Sequence, residues 1–276
     1  MVVSVNTNES ALLALQNLNA TNRNLEMTQT RINTGLKVSG AKDNGAIFAI
    51  AQNLRSDVSG LVAVTNSLDR GISTATVALS AGESISNLLI DLKAKAAAAS
   101  DLGLDSASRT ALNNEFISLR DQITQIVNTA EFNGTNMIKN GGTGIAALAN
   151  DSATQTISVA AEDLSLSGSI VTISAATTLG STATSAASVL AQLETTITNV
   201  NAALGRLGTG VKALERHQVF ISKLSDTLET GIGNLVDADL AKESARLQAL
   251  QVKQQLGVQA LSIANQAPGV ILSLFR

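Results

Sequence analysis

The sequence lacks cysteine, tryptophan and tyrosine, and its 276 residues include a single histidine and a single proline. The absence of cysteine excludes disulfides, thiolate nucleophiles and cysteine-ligated metals. The lone histidine, His217, has no constellation of catalytic or zinc-binding residues to join, and beside Arg216 it is interpreted as a solvated helix position. The scarcity of aromatic residues argues against an aromatic-lined ligand pocket. We therefore predict no enzyme activity, no cofactor and no metal.

Two short motifs could be taken for ligand sites. Asp237 and Asp239 could bind a cation, but two acidic residues at the start of a helix are explained more simply by the positive end of the helix dipole. The run Gly141–Gly144 lacks the lysine of a phosphate-binding loop and is interpreted as a turn. Neither motif changes the prediction of a protein without a catalytic site.

Concentrated positive charge is also missing, because the net charge is −3, the pI is about 5.2, and lysine and arginine form no cluster. The electrostatic footprint of a nucleic-acid-binding protein is therefore absent. Residues 254–275 carry no charge, yet they contain too many Gln, Asn and Ser residues for a membrane-spanning helix. The first eight residues contain no basic side chain, so we expect no secretory signal peptide. A protein of this kind acting outside the cell would need a dedicated export machine.

The stretch 234–276 is helical in pattern and too apolar to exist alone. Alternating three-and-four spacing, interrupted by Glu243, Gln254 and Gly257, is typical of a coiled-coil seam with polar residues that fix the register. The apolar positions of this seam are Leu240, Leu247, Leu250, Leu261, Ala264 and Ile271. One helix cannot bury its surface on all sides, so this stretch must meet another helix of the chain, other copies of the chain, or both.

Residues 1–36 repeat the pattern of the C-terminal stretch. The predicted seam consists of Ala11, Leu15, Leu18, Asn22, Leu25, Gln29, Ile32 and Leu36. The similar patterns predict that the two terminal helices pair with each other. Small residues at 34–40 then break the pattern, and Asp43 is the candidate N-cap of the helix that follows.

A helix is predicted from Asn44 to about Ser100, since this segment contains no proline and one apolar face recurs along it. Gly60, Gly71 and Gly82 are spaced by eleven residues, close to three whole turns, so they line one stripe where a neighbouring backbone can approach closely. Burial of this stripe between subunits is one expectation. The alternative is that the glycines merely loosen a solvent-exposed face.

Asp105 or Ser106 is predicted to cap a further helix, which ends before a turn at Asn133–Gly134. Residues 151–188 contain 16 Ser or Thr residues and no helical period. Alternation at 156–159 and β-branched residues at 170–173 predict a small hairpin or meander. Seven heptads then run from Leu190 to Leu235, with a predicted joint at 231–234.

These patterns together predict a mainly α protein, an elongated antiparallel helical bundle or coiled coil with a small β-hairpin insert at about 135–185. The predicted division places 1–40 and 236–276 in one unit of paired terminal helices, and 41–235 in a second helical unit carrying the insert. The surplus apolar surface of the terminal helices predicts a self-assembling structural protein.

Several separated motifs of this sequence resemble those of bacterial flagellin, the subunit of the flagellar filament. They occur in the flagellin order at both ends of the chain, and the short centre resembles the reduced flagellins of some alphaproteobacteria. The motifs are SVNTN at 4–8, RINTGLK at 31–37 with AKDN at 41–44, DADLAKE at 237–243 and ANQAPGVILSL at 264–274.

The resemblance implies a hollow helical filament used for swimming. In flagellins the paired terminal helices form an inner tube and the middle helices an outer tube. The implied location is extracellular, reached unfolded through the flagellar type III apparatus without a cleaved signal peptide. The implied partners are further copies of the chain, other flagellin paralogues, an export chaperone, the filament cap and the hook-junction proteins. A flagellin-like protein of the hook–filament junction is the alternative, because it shares the terminal helices.

On this basis we predict which residues carry assembly. They are Leu15, Leu18, Asn22, Leu25, Ile32, Leu240, Leu247, Leu250, Leu261, Ile271, Leu274 and Phe275. Close helix packing is assigned to the glycine stripe. Flagellins can carry O-linked glycans, so Ser and Thr residues within 151–188 are candidate glycosylation sites, the alternative being a merely solvated insert.

Overall fold

The computed structural model describes residues 7–273, with side chains described through residue 266. Within this range the chain forms five helices and one two-stranded antiparallel sheet, which confirms the mainly α fold with a β hairpin. In chain order the elements are α1 (Glu9–Thr34), α2 (Gly45–Ala99), α3 (Ser106–Thr129), β1 (Ile145–Leu148), β2 (Thr156–Val159), α4 (Ala183–Val236) and α5 (Leu240–Ser273).

Short polar side chains begin the helices by accepting backbone hydrogen bonds, as N-caps do. Asn8 accepts from the Ala11 N–H at 3.0 Å, Asp105 from the Ser108 N–H at 2.9 Å, and Asp239 from the Lys242 N–H at 3.1 Å. Asp105 is therefore the N-cap of α3, as the sequence allowed, and Asp239 is the N-cap of α5.

The prediction that Asp43 caps α2 is wrong by one residue. Asn44 is the cap, since its side chain accepts from the Ile47 N–H at 3.1 Å. The Asp43 carboxylate instead closes the preceding turn, accepting from the Ser39 N–H and hydroxyl, both at 2.9 Å, and from the Gly40 N–H at 3.2 Å. Two adjacent residues of similar capping strength cannot be distinguished by composition alone.

The predicted joint at 231–234 is also wrong, because α4 continues through both glycines to Val236. The Asp237 N–H still donates to the Gly233 carbonyl at 2.8 Å, so the helical ladder persists past this point. Glycine inside a helix costs only about 1 kcal/mol, which packing easily offsets. The break between α4 and α5 lies at 237–239, where the Ala238 N–H donates to the Gly35 carbonyl at 2.8 Å.

The chain divides into two compact units, one formed by 1–56 with 227–276 and the other by 57–226. These boundaries fall inside α2 and α4, further from the termini than the predicted division at 40 and 236. In the first unit a small apolar cluster surrounds the crossing of the 35–38 and 236–238 segments. It contains Val38, Ala51 and Val236 at its centre, with Leu36, Ile47, Phe48, Ile232 and Leu235 around them.

In the second unit α2 and α4 run antiparallel. Lys93 pairs with Glu194 at 3.0 Å, and the Ser86 hydroxyl bonds the Asn201 side chain at 3.3 Å. The seam predicted on α4 is buried at Leu193, Val200, Leu207 and Leu214. The other large core residues of this unit are Leu68, Ile85, Leu89, Leu92, Phe116, Ile123, Met137, Ile138, Leu164, Ile173 and Leu179.

The insert is part of that core, and it differs in detail from the prediction. β1 pairs with β2 from Ile145 opposite Val159 to Leu148 opposite Thr156. The predicted strand at 170–173 is wrong: Val171 and Ile173 are fully buried, but the segment is irregular and Thr172 bonds the Thr196 hydroxyl at 2.9 Å. The alternating β-branched residues of this segment are alternately buried and exposed, although no described strand pairs with them. β1 was missed because its sequence, Ile-Ala-Ala-Leu, has low β propensity.

Candidate assembly surface

The terminal helices α1 and α5 form an antiparallel pair joined by polar contacts along its length. The Asn8 side-chain amide donates to the Ala264 carbonyl at 2.7 Å. Gln254 donates to the Asn22 side chain at 2.8 Å. Arg31 bonds Glu243 at 3.1 Å. Because each contact demands one alignment, together they fix the register of the two helices.

On α5 the residues facing α1 follow the predicted three-and-four spacing. Leu247, Gln254, Leu261 and their seam neighbours are partly buried, and Leu250 is buried. A Cβ placed on Gly257 would lie 3.2 Å from Leu18 Cδ1, so α1 approaches closely at this point. Leu240 keeps the spacing but remains half exposed.

On α1 the seam differs from the predicted one at alternate positions. Leu18, Leu25 and Ile32 are partly buried as expected, but the residues between them that face α5 are Thr21 and Thr28. Thr28 is 1% exposed, whereas Leu15 is 43% exposed. Asn22, predicted inside the seam, lies on its exposed border and bonds Gln254 from there.

The physical reason for this shift is side-chain size. Two heptad patterns contain Leu18, Leu25 and Ile32 and differ in the residues between them. The predicted pattern is the one with larger or amide side chains at those positions. The observed frame places Ala14, Thr21 and Thr28 opposite α5, and small residues permit closer approach of two helices. The sequence does contain a pattern that indicates the observed frame. A step of three residues from Ala11 leads to Ala14, and the same heptad position then holds the small residues Thr21 and Thr28.

The α1/α5 pair leaves many large apolar side chains in solvent, and we call this set the open apolar face. Its members are 43% to 69% exposed: Leu12, Leu13, Leu15, Met27, Leu240, Val252, Leu256, Val258 and Ile263. An apolar groove of about 530 Å³ lies among them, lined by Leu12, Leu15 and Leu261 with Asn8 and Asn265 at its edge. Of the other predicted assembly residues, Ile271 has no described side chain, and Leu274 and Phe275 lie outside the described residues.

One buried ionic contact lies inside the pair. The side chains of Arg31 and Glu243 are 23% and 11% exposed, and Arg31 reaches only Oε1 of the carboxylate. Among the described residues, the buried Oε2 atom of Glu243 has no hydrogen-bond partner. A buried carboxylate oxygen without a donor is costly, so the pair is held in register without being strongly stabilised.

The glycine stripe of α2 is covered by residues of the same chain. A Cβ on Gly60 would lie 2.9 Å from Asp151 Cβ, one on Gly71 would lie 3.3 Å from Ala147 Cβ, and one on Gly82 would contact Leu204. The insert and α4 therefore occupy the space that the missing side chains leave. Burial of this stripe between subunits, as expected from the sequence, does not apply to these three positions.

Other kinds of site are not evident in the part of the chain that the structure describes. No group of three or more acidic or histidine side chains there could hold a metal ion. No described helix combines the length and apolar character needed to cross a membrane. His217 was interpreted as a solvated helix position, but it is only partly exposed. Its Nε2 atom lies 2.8 Å from the Ala149 carbonyl oxygen, so the side chain also contacts the insert.

The five helices of residues 7–273, two of them longer than fifty residues, and their small two-stranded sheet place the chain in the class of mainly helical proteins. Comparison with known proteins identifies its family. The model of the bacterial flagellin N-terminal helical region matches residues 5–143, and that of the C-terminal helical region matches residues 190–275. The chain belongs to the bacterial flagellin family.

Full-length relatives agree with this assignment. The chain is 50% identical to flagellin FljM of Caulobacter vibrioides over 99% of its own length and 98% of that protein. It is 38% identical to a flagellin of Brucella melitensis, with both chains fully covered. Five Caulobacter flagellins are 47% to 50% identical to it. The protein is thus a short, alphaproteobacterial-type flagellin, a structural subunit of the extracellular flagellar filament.

Solved structures share the fold at lower identity. The crystal structure of Bacillus cereus flagellin superposes with a TM-score of 0.50 at 22% identity, covering 56% of this chain and 87% of that one. A proposed flagellar hook-associated protein from Vibrio parahaemolyticus gives a TM-score of 0.57 at 13% identity, covering 71% of this chain and all of that one. Both likenesses concern the fold alone.

Proposed function

We propose that the open apolar face of the α1/α5 pair is the surface through which subunits join in the filament. Nine large apolar side chains in solvent are the observation that carries this proposal. Exposed apolar surface on this scale marks an interaction site, and its burial at roughly 25 cal/mol per Å² supplies a driving force for assembly. In this arrangement the terminal unit forms the inner tube and the helical unit with the insert forms the outer tube.

Removal of residues 254–276 tests the proposal. The truncated chain loses Leu256, Val258, Leu261 and Ile263, so we expect a soluble monomer that retains the helices of the 57–226 unit and does not polymerise. Sedimentation and electron microscopy measure polymer, and circular dichroism measures helix content. Normal filaments from the truncated chain would contradict the proposal.

A milder variant separates loss of surface from loss of the helix. The double variant Leu256→Gln with Ile263→Gln removes apolar surface from two exposed positions. Glutamine favours a helix about as well as the residues it replaces, so α5 should remain helical. The matched control, Gln255→Glu, changes an exposed polar side chain on the same helix. We expect the double variant to need a much higher protein concentration for polymerisation and the control to behave like the unaltered chain.

A hook–filament junction protein is the alternative that the sequence left open, and the full-length relatives are named flagellins. A junction protein would add a layer of fixed size, whereas a filament subunit grows without a defined end. Seeded polymerisation of the purified chain distinguishes the two functions, because filament length rises with added protein only if the chain is a filament subunit.

The same proposal includes the partners and route that flagellins use. The α5 helix, with its charge-free end and exposed apolar face, suits an export chaperone that covers it before assembly. Cap, hook-junction and paralogous flagellin subunits would meet the same terminal surfaces. Export in an unfolded state suits a chain without cysteine, because such a chain forms no disulfide on the way.

Glycosylation of the insert is a separate proposal. Ser152, Thr154, Thr156 and Ser158 are exposed on the hairpin, where a glycan would meet no buried core residue. An intact mass above the sequence mass, with the excess mapped to peptides of 151–188, is the expected result. An intact mass equal to that of the sequence would dispose of the proposal.

A further inference from the structure

The chain offers an oxidant few side chains to attack. It contains no cysteine, tryptophan or tyrosine, and its sulfur atoms belong to three methionines, Met1, Met27 and Met137. In many proteins a cysteine thiolate competes for peroxide. Without a thiolate, the thioether sulfur of methionine is the principal target that remains.

The two methionines with described side chains differ in their access to solvent. Met137 is 1% exposed in the core of the 57–226 unit, whereas Met27, on α1, is 46% exposed. The residues one turn away from Met27 on α1, Arg23, Asn24 and Thr30, are exposed and polar. Dissolved peroxide therefore reaches the sulfur of Met27 in the free chain, and it reaches Met137 only when the core opens.

The reaction of this thioether with hydrogen peroxide needs no further component. A lone pair of the sulfur attacks one peroxide oxygen, and the O–O bond breaks. The leaving hydroxide takes the proton of the new S–O–H group and becomes water. The sulfur loses two electrons and the peroxide gains two, so the product is methionine sulfoxide.

Oxidation changes the physical character of the Met27 side chain. The thioether is apolar and flexible, whereas the sulfoxide is polar and accepts hydrogen bonds. In the free chain water solvates the added oxygen, because the position is exposed, so α1 should remain helical. In a contact with another copy the oxygen loses this water, which costs free energy unless a donor replaces it. Oxidation should therefore affect assembly more than it affects the subunit itself.

We propose that Met27 is a site of reversible oxidation by peroxide, and that its sulfoxide form weakens the ability of the free subunit to join the filament. This inference rests on the proposed assembly through the open apolar face, of which Met27 is a member. A subunit already in the filament has Met27 covered by a neighbouring copy, so its sulfur stays reduced. The free subunit is thus the form that peroxide controls.

Peptide mapping by mass spectrometry tests the site of oxidation. When the full-length monomer is treated with hydrogen peroxide, we expect one oxygen to be added at Met27 at least about tenfold faster than at Met137, because the rate follows exposure. In filaments the rate at Met27 should fall by a similar factor. Equal rates at the two methionines would contradict the site, and equal rates at Met27 in monomer and filament would contradict its burial by another copy.

A comparison of peroxide-treated and untreated samples of the same chain tests the effect on assembly. For the natural chain and for the control Met137→Leu, we expect treatment to raise the concentration required for polymerisation about fivefold to tenfold. For Met27→Leu the ratio of treated to untreated should stay near one, since leucine has no sulfur. Using this ratio removes any effect of the substitution itself. An equal rise in Met27→Leu would assign the effect to another residue and overturn the proposal.

Reduction of the sulfoxide gives a test on the natural sequence alone. Methionine sulfoxide reductases for both sulfur epimers, supplied with dithiothreitol, should remove the added mass at Met27 and restore polymerisation. The thiol reductant has no disulfide to attack in this chain, because cysteine is absent. Loss of the added mass without recovery of polymerisation would overturn the role of Met27. Failure of the untreated chain to polymerise would instead contradict the proposed function.

Discussion

Gly60 and Gly205 both lie inside long helices, but only Gly60 has a neighbour that excludes a side chain. A Cβ on Gly60 would lie 2.9 Å from Asp151 Cβ and 3.3 Å from its Cα, and one on Gly205 would have nothing within 4 Å. We expect Gly60→Ala to lower the free energy of unfolding by roughly 1–3 kcal/mol, since overpacking strains a fixed neighbour. Gly205→Ala should raise it by up to about 1 kcal/mol, since alanine favours the helix.

Urea unfolding of the monomer, followed by circular dichroism, measures both changes. Gly205→Ala serves as the control for replacing a helical glycine without a close neighbour. Equal stability of the two variants would mean that the turn at Asp151 moves away from α2 at little cost.

Asp43 offers a residue-scale prediction about pH. Hydrogen bonds from the Ser39 hydroxyl and N–H, and then from the Gly40 N–H, hold the pKa of this exposed carboxyl below its ordinary value of 3.8. A depressed pKa in the folded state means that the stabilising effect is complete above pH 3.8 and is lost as the pH falls through the folded pKa. The Ser39 and Gly40 amide resonances should therefore shift only in acid, below about pH 4. In Asp43→Asn this acid transition should disappear, and its persistence would assign it to another group.

At the scale of elements, the long helices were predictable and the insert was only partly so. Apolar spacing over many turns without proline predicted α2 and α4 to within a few residues at most ends, because each turn repeats the same signal. The alternation at 170–173 predicted a strand, but this segment lies in the core without pairing to another strand. Alternation shows that every second side chain is buried, and it does not show whether a partner strand exists. The frame of the α1 seam was ambiguous because Leu15 and Ala14 both continue a heptad, and the choice depends on how closely α5 approaches.

The α1/α5 pair supplies a prediction at this scale through Arg31 and Glu243. Either Arg31→Glu or Glu243→Arg places two like charges at partly buried positions 3.1 Å apart in the present pair. We expect each single variant to weaken pairing by about 2 kcal/mol, less than for a fully buried pair because the Arg31 side chain remains partly exposed. The combined exchange restores opposite charges and should recover most of the loss.

Polymerisation yield and the helix content of the monomer measure this recovery. Arg246→Glu, an exposed charge reversal on the same helix, is the control and should change pairing little. If the combined exchange polymerises no better than the single variants, the ionic contact does not determine the register.

At the scale of the whole molecule, the two units differ in how much of themselves they bury. Among described side chains, α1 buries only Thr28, and α5 buries only Glu243 and Leu250. The 57–226 unit contains most of the fully buried large side chains, including Phe116, Leu193 and Ile85. Since local stability follows buried apolar contact, α1 and α5 should open far more often than the helices of the 57–226 unit.

Hydrogen exchange on monomer and filament tests this difference directly. In the monomer, amides of the first ~35 and last ~40 residues should exchange much faster than those of residues 57–226, because the open apolar face has no partner. In the filament the terminal amides should become protected, while those at the centre of the 57–226 unit change little. Equal protection of α1 and α5 in both states would show that the pair buries itself within one chain. In that case, burial of the terminal helices could not drive assembly.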